Sequence, residues 1–267
     1  MSDREYVAEM VMSYLKNGNK RAVFIKQQDI HDADIARLCA NFANDEDISL
    51  IHHDYALYEM KSAYEPFMSA IRDSYYNDYK QTCSIEEFVE NCEVYSLQKD
   101  VFVSYIRSGE CERKIEVMMS EYDYENERML ESIYSSLRYI ASEKKLVFVI
   151  GKLHMAPVCV LRFINRIFDR KDNIRFIITY GESFLVKEYC HNDWYILMHK
   201  AEENKLFFVT KDKVHAKNIE VPDKFECKED QIKEYIKLLS NMVLLFAFED
   251  ARYYLESIIP YVNRFDS

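Results

Sequence analysis

Apolar positions along this chain keep two rhythms, and the changes between them mark out its elements. Residues 3–17 (DREYVAEMVMSYLKN) place Tyr6, Val7, Met10, Val11, Tyr14 and Leu15 at helical spacing, and Asn17-Gly18-Asn19 supplies a stop. RAVFI at 21–25 then reads as a short buried strand, 32–44 as a helix, and ISLIHHDY at 48–55 as a second strand. From 56 to about 143 the pattern is helical and rich in Tyr and Glu, with a break at Ser108-Gly109. LVFVI at 146–150 is apolar at every position, as a strand covered on both faces requires. A helix over 156–168 follows, with Val160, Leu161, Ile164 and Phe168 on one face, and IRFIITY at 174–180 is a further strand. WYILM at 194–198 and KLFFVT at 205–210 read as strands of a hairpin around Glu202-Glu203-Asn204. The chain closes with an apolar helical region over 228–259, broken near Phe248-Glu249-Asp250.

Strand–helix alternation through residue 180 predicts an α/β fold, a three-layer core with a parallel sheet. The long helical insertion at about 56–143 and the C-terminal helices are additions to it. The expected division is a core over 1–190 and a β-hairpin with a helical extension over 191–267.

Composition narrows the function classes. Of 267 residues 49% are hydrophobic, enough for a sizeable core, and the formal charge of −11 argues against a nucleic-acid surface. No apolar run approaches the roughly 20 residues that cross a membrane. The seven Cys are scattered, odd in number and without CxxC spacing, which fits free thiols in the cytoplasm. Most informative is the scarcity of glycine: Gly18, Gly109, Gly151 and Gly181 are all there are. Few places remain where backbone can wrap a phosphate.

The stretch KLVFVIGKLHMAPVCVLRFINRIFDRKDNIRFIITYGE (145–182) resembles the second half of the P-loop ATPase core of STAND-type signalling ATPases of the AAA+ kind. Leu153-His154-Met155-Ala156 stands at the turn after the acidic strand of that family, and Ile177-Ile178-Thr179-Tyr180 at its sensor strand. The resemblance covers about 20–190 and makes RAVFI and its helix the Walker A unit. AFEDARYYLESI (247–258) resembles the start of the helical repeats that follow such modules. It implies a P-loop NTPase-like fold whose degenerate nucleotide site falls at Lys26, Gln27, Gln28, His31, Gly151, Lys152 and Thr179.

The chemistry of that family is missing at these positions. The phosphate loop needs glycines and a Lys after the turn; here Lys26-Gln27-Gln28-Asp29-Ile30-His31-Asp32-Ala33-Asp34 has no Gly and three Asp. Gly151 and Lys152 replace the acids that hold Mg²⁺ and polarise water, and Gly181 replaces an Arg. Losing all three together implies a catalytically inactive ATPase-like module, a pseudoenzyme with no catalytic residue, no metal and at most weak ATP or ADP binding. It would act as a regulatory or protein-interaction domain of an intracellular signalling protein. Its partner would be another protein or other domains of a longer chain, with no nucleic acid and no membrane. The alternative is an active nucleotide- or metal-dependent enzyme using Asp29, Asp32, Asp34 or Asp54 as acids and His31 or His154 as base.

Other constellations favour plain readings. His52-His53-Asp54 is a strand exit without a second ligand cluster, and Cys190, His191, His199 and Cys227 are too irregular for zinc. Glu121, Glu125, Glu127 and Glu131 read as a solvated helix face, and Cys159 as a packed thiol. The Tyr-rich 55–79 segment reads as domain packing, with a partner surface as its sharper alternative.

Overall fold

The computed structural model describes residues 11, 22–26, 48–56, 62–113, 121–168, 170, 172–181, 186–204, 207–208 and 229–265. The fold is α/β. Strands β1 (Ala22–Lys26), β2 (Ile48–Asp54), β3 (Lys145–Gly151), β4 (Ile174–Tyr180) and the two-residue β5 (Phe207–Phe208) form one sheet in the order β2-β3-β4-β1-β5. Every pairing in it is parallel. The eight α-helices among the described residues are α1 (Phe67–Ser74), α2 (Ile85–Asn91), α3 (Lys99–Ser108), α4 (Tyr122–Ala141), α5 (Val158–Ile167), α6 (His191–Glu203), α7 (Glu229–Leu244) and α8 (Phe248–Phe265). This architecture is compatible with the expected three-layer core. None of the described helices is long and apolar enough to cross a membrane. The expected helices at 3–17 and 32–44 lie outside the described residues, apart from Val11.

The chain divides into two compact units. The first comprises Met1–Leu57, Ala141–Ala156 and Ile164–Pro222, and holds the sheet. Its central strands β3 and β4 are buried almost throughout, because a parallel sheet covered on both faces leaves no polar side to alternate with. Phe148 stacks on Phe176 across them at 5.6 Å, and Phe24 of β1 meets Phe168 edge-on at 5.9 Å. The edge strand β2 is only half-buried, which suits its Ser, His and Asp content.

One expectation fails in this unit. WYILM is not a strand and there is no hairpin: 194–198 lie inside α6, and β5 pairs parallel with β1. The run is apolar throughout, yet within it only Trp194 and Leu197 are buried, continuing at helical spacing to Ala201, while Tyr195 is 69% exposed. A short apolar run cannot by itself distinguish the two periods. The contacts also group 191–204 with the sheet rather than with the C-terminal helices, unlike the division drawn at 190.

The second unit comprises Tyr58–Ile140, Pro157–Phe163 and Asp223–Ser267. The Tyr-rich segment supplies its core: Tyr64, Tyr75 and Tyr79 are buried, and Tyr75, Tyr79, Phe88 and Tyr139 form a cluster of ring contacts. Burial pushes the Tyr64 hydroxyl well above its ordinary pKa. Asp250 has no exposed surface; its two carboxylate oxygens accept the N–H groups of Val158 (2.8 Å) and Cys159 (3.0 Å), capping α5 from the first turn of α8. Burial pushes the Cys92 and Cys111 thiols up to about 12. The break at Ser108-Gly109 ends α3, with Gly109 in the left-handed region at φ +79°.

Two substitutions test this local reading. Nothing lies within 4 Å of a Cβ built on Gly109, so Gly109→Ala carries only the backbone strain, about 1 kcal/mol by urea denaturation. Ser84 and Glu87 form a reciprocal capping box at the start of α2, and the Ser84 N–H and hydroxyl hold the Glu87 carboxyl below its ordinary value. A depressed folded-state pKa gives stability that is complete above the unfolded value and lost as pH falls through the folded one. Ser84→Ala therefore lowers the melting temperature at neutral pH, and the gap to the parent narrows in acid.

Candidate functional site

Parallel strands deliver their carboxyl ends to one edge of the sheet, which is where open α/β sheets bind ligands. In the first unit that edge carries Lys26 at the end of β1, Asp54 at the end of β2, Gly151 at the end of β3 with Lys152 after it, and Thr179 near the end of β4. Register sets Asp54 against Gly151, Ile25 against Thr179 and Lys26 against Tyr180. The structure thus brings Lys26, Gly151, Lys152 and Thr179 to one edge. Gln27, Gln28 and His31, with Asp29, Asp32 and Asp34, lie outside the described residues.

Closer geometry shows what fills the edge. Lys152 adopts φ +55°, a left-handed conformation uncommon for a side chain of this kind, and its N–H donates to Thr179 Oγ1 at 3.0 Å. Thr179 is buried. The Gly181 N–H donates to His154 Nδ1 at 2.8 Å, so Nδ1 is an acceptor and the ring of this buried histidine carries its proton on Nε2. The backbone donors just beyond β3 and β4 are thereby committed within the protein, whereas an anion site needs such donors to point outward.

Both glycines of this edge are close-packing residues. Neither has a positive φ; a neighbour occupies the space beside each. A Cβ on Gly151 would fall on the Asp54 carboxylate, and one on Gly181 would come 2.8 Å from His154 Cε1 and 2.9 Å from Nε2. The positions where an acid and an arginine were expected are therefore filled by side chains from β2 and from the turn after β3. In the sequence these glycines stand only as replacements for an acid and an arginine. Their shared signal was position: two of the chain's four glycines directly follow or end an apolar strand.

The remaining candidates separate. Asp54 Oδ1 lies 3.4 Å from His52 Nε2, both partly exposed, and among the described residues no group of three or more His, Cys, Asp or Glu could hold a metal ion. Cys190 is buried, its thiol 3.8 Å from the Ala156 carbonyl oxygen, while Cys227 lies outside the described residues. Glu121 and Glu127 are exposed as expected, but Glu125 is buried, because the start of α4 turns it inward onto Gln98 and Arg128. No protein-family model matches the chain, and no curated protein matches it.

The glycine packing is testable by urea denaturation. Gly181→Ala meets a rigid buried ring that is hydrogen-bonded to the substituted residue, and is expected to cost about 1–3 kcal/mol. Gly151→Ala meets the end of a partly exposed Asp side chain that can swing aside, and costs less than about 1 kcal/mol. Combining Gly181→Ala with His154→Ala gives less than the sum of the two changes, since the clash disappears. The opposite ranking of the glycines would contradict this account.

Proposed function

We propose that the chain is a catalytically silent P-loop ATPase-like module of the STAND and AAA+ kind, working as a regulatory or protein-interaction domain of an intracellular signalling protein. The sheet order supports this reading: β4, the strand likened to the sensor strand, lies between β1, likened to the phosphate-loop strand, and β3, likened to the acid strand. The observation that carries it is the state of the carboxyl edge. Gly151 and Gly181 have the Asp54 carboxylate and the His154 ring packed beside them, and the Lys152 and Gly181 N–H groups are bonded internally. Among the described residues of this edge, the N–H groups after β3 and β4 are turned inward, whereas phosphoryl transfer needs donors that face the phosphates. What the scaffold retains is an ordered sheet that can present its loops to another protein or to further domains.

The test is the melting temperature with millimolar ATP, ADP, GTP and GDP, each with and without Mg²⁺. A nucleotide bound with a dissociation constant of about 10 µM and present at about 1 mM adds about 2.7 kcal/mol of stability. The expected outcome is no Mg²⁺-dependent shift and no hydrolysis. A Mg²⁺-dependent shift, with hydrolysis that disappears in Lys26→Ala or Lys152→Ala, would replace this reading with the active enzyme.

A further inference from the structure

The second unit buries a carboxylate whose counter-charge stands at the surface. Glu125 is 2% exposed. Arg128 Nη1 donates to its Oε1 at 2.8 Å, and Gln98 Nε2 donates to its Oε2 at 2.8 Å. Gln98 has no exposed surface, and its Oε1 accepts Arg113 Nη2 at 3.0 Å. The same nitrogen donates to the carbonyl of Leu244, the last residue of α7, at 2.8 Å, and the guanidinium lies 4.5 Å over the Phe246 ring. Burial pushes the Arg113 pKa below its ordinary value, and the Glu125 charge acts in the opposite direction.

Leu245, Phe246 and Ala247 form the elbow between α7 and α8. Phe246 sits at φ +60°, and the three N–H groups donate to the carbonyls of Asn241, Val243 and Met242. At the other end of the chain of contacts, Arg128 Nη2 donates to the Tyr124 hydroxyl at 2.7 Å. The Arg128 guanidinium carbon lies 4.0 Å over the Tyr124 ring and 5.5 Å from that of Tyr95. Those rings are 60% and 42% exposed. A hydrogen-bonded path therefore runs from the surface Tyr124 through Arg128, Glu125, Gln98 and Arg113 to the Leu244 carbonyl, and the Arg113 guanidinium over Phe246 joins it to the elbow.

A buried carboxylate is tolerated while its counter-charge stays, and is strongly destabilising once that charge is removed. Gln98 is neutral and cannot replace Arg128. Its amide serves both neighbours in one orientation, nitrogen toward Glu125 and oxygen toward Arg113, so release of Glu125 removes the bond that holds that oxygen toward Arg113. We propose that Arg128 is a clasp: an anionic group brought against Tyr124 draws the guanidinium outward, strips Glu125 of the cation hydrogen-bonded to it, and loosens the α7–α8 elbow through Gln98 and Arg113.

Hydrogen exchange at the Leu245, Phe246 and Ala247 amides tests this, with the β3 amides as internal reference. Tyr124→Glu places a tethered carboxylate beside Arg128, while Tyr124→Phe keeps the ring and removes only the hydroxyl. Arg128→Ala and Tyr124→Glu are expected to speed exchange at the elbow about tenfold or more, because the loss of a charged hydrogen bond appears directly in the opening equilibrium. Tyr124→Phe leaves the elbow near its parent rate. Glu125→Gln added to Arg128→Ala returns it toward that rate, since a neutral amide needs no counter-charge. Elbow exchange unchanged in Arg128→Ala, equal in Tyr124→Glu and Tyr124→Phe, or unrescued by Glu125→Gln would overturn the proposal. If Arg128→Ala does not fold, the comparison of Tyr124→Glu alone with Tyr124→Glu carrying Glu125→Gln decides it.

Discussion

Parallel pairing of β3 with β4 is the constraint on which the candidate site depends, because it ends two buried strands side by side and leaves their next backbone groups to be satisfied locally. With Ile150 opposite Ile178, the Lys152 N–H has the Thr179 hydroxyl within reach, and the turn that follows carries His154 back to the Gly181 N–H. Buried donors must find acceptors, and here the acceptors are a threonine and a neutral histidine of the same edge. Once the Gly181–His154 bond forms, the ring leaves no room for a side chain at 181, and at 151 the space is taken by the Asp54 carboxylate. Glycine is then the residue that lets Asp54 and His154 pack where they do. The left-handed backbone at Lys152 belongs to the same turn.

The second unit solves a related problem twice, with different hardware. Asp250 is buried against the two leading N–H groups of α5, donors that belong to a helix and cannot leave without fraying it. Glu125 is buried against a guanidinium at the end of a flexible side chain, partly exposed and stacked on an exposed tyrosine. Both arrangements compensate the desolvated charge. The first is rigid because its partners are backbone, and the second is movable because its partner is a surface side chain. That difference is why the Glu125 network, and not the Asp250 cap, is the place where the surface can act on the helical interior.

The strands could be recognised in the sequence because burial on both faces leaves continuous apolar runs: RAVFI, LVFVI and IRFIITY each correspond to one strand of the sheet, and ISLIHHDY to its edge. The same signal misled at WYILM, where five apolar residues belong to a helix whose exposed side keeps Tyr195 and Ile196. Exposure of large apolar side chains is common enough that an apolar run does not imply burial all round. Glu125 was hidden for the converse reason. Its neighbours Glu121 and Glu127 are solvated, and nothing along the chain announces that Gln98, 27 residues earlier, and Arg128 will enclose the one between them.

Local pattern and composition determined the α/β class, the parallel strands and a scarcity of glycine that leaves few places to wrap a phosphate, since each rests on short-range spacing or simple counts. Only the tertiary structure decided the order of the strands, the membership of α6 in the sheet unit, and the meaning of Gly151 and Gly181. Those depend on which side chain stands beside a position in space. For Gly151 and Asp54 the two residues are 97 apart in the chain, and the register of β2 on β3 alone makes them neighbours.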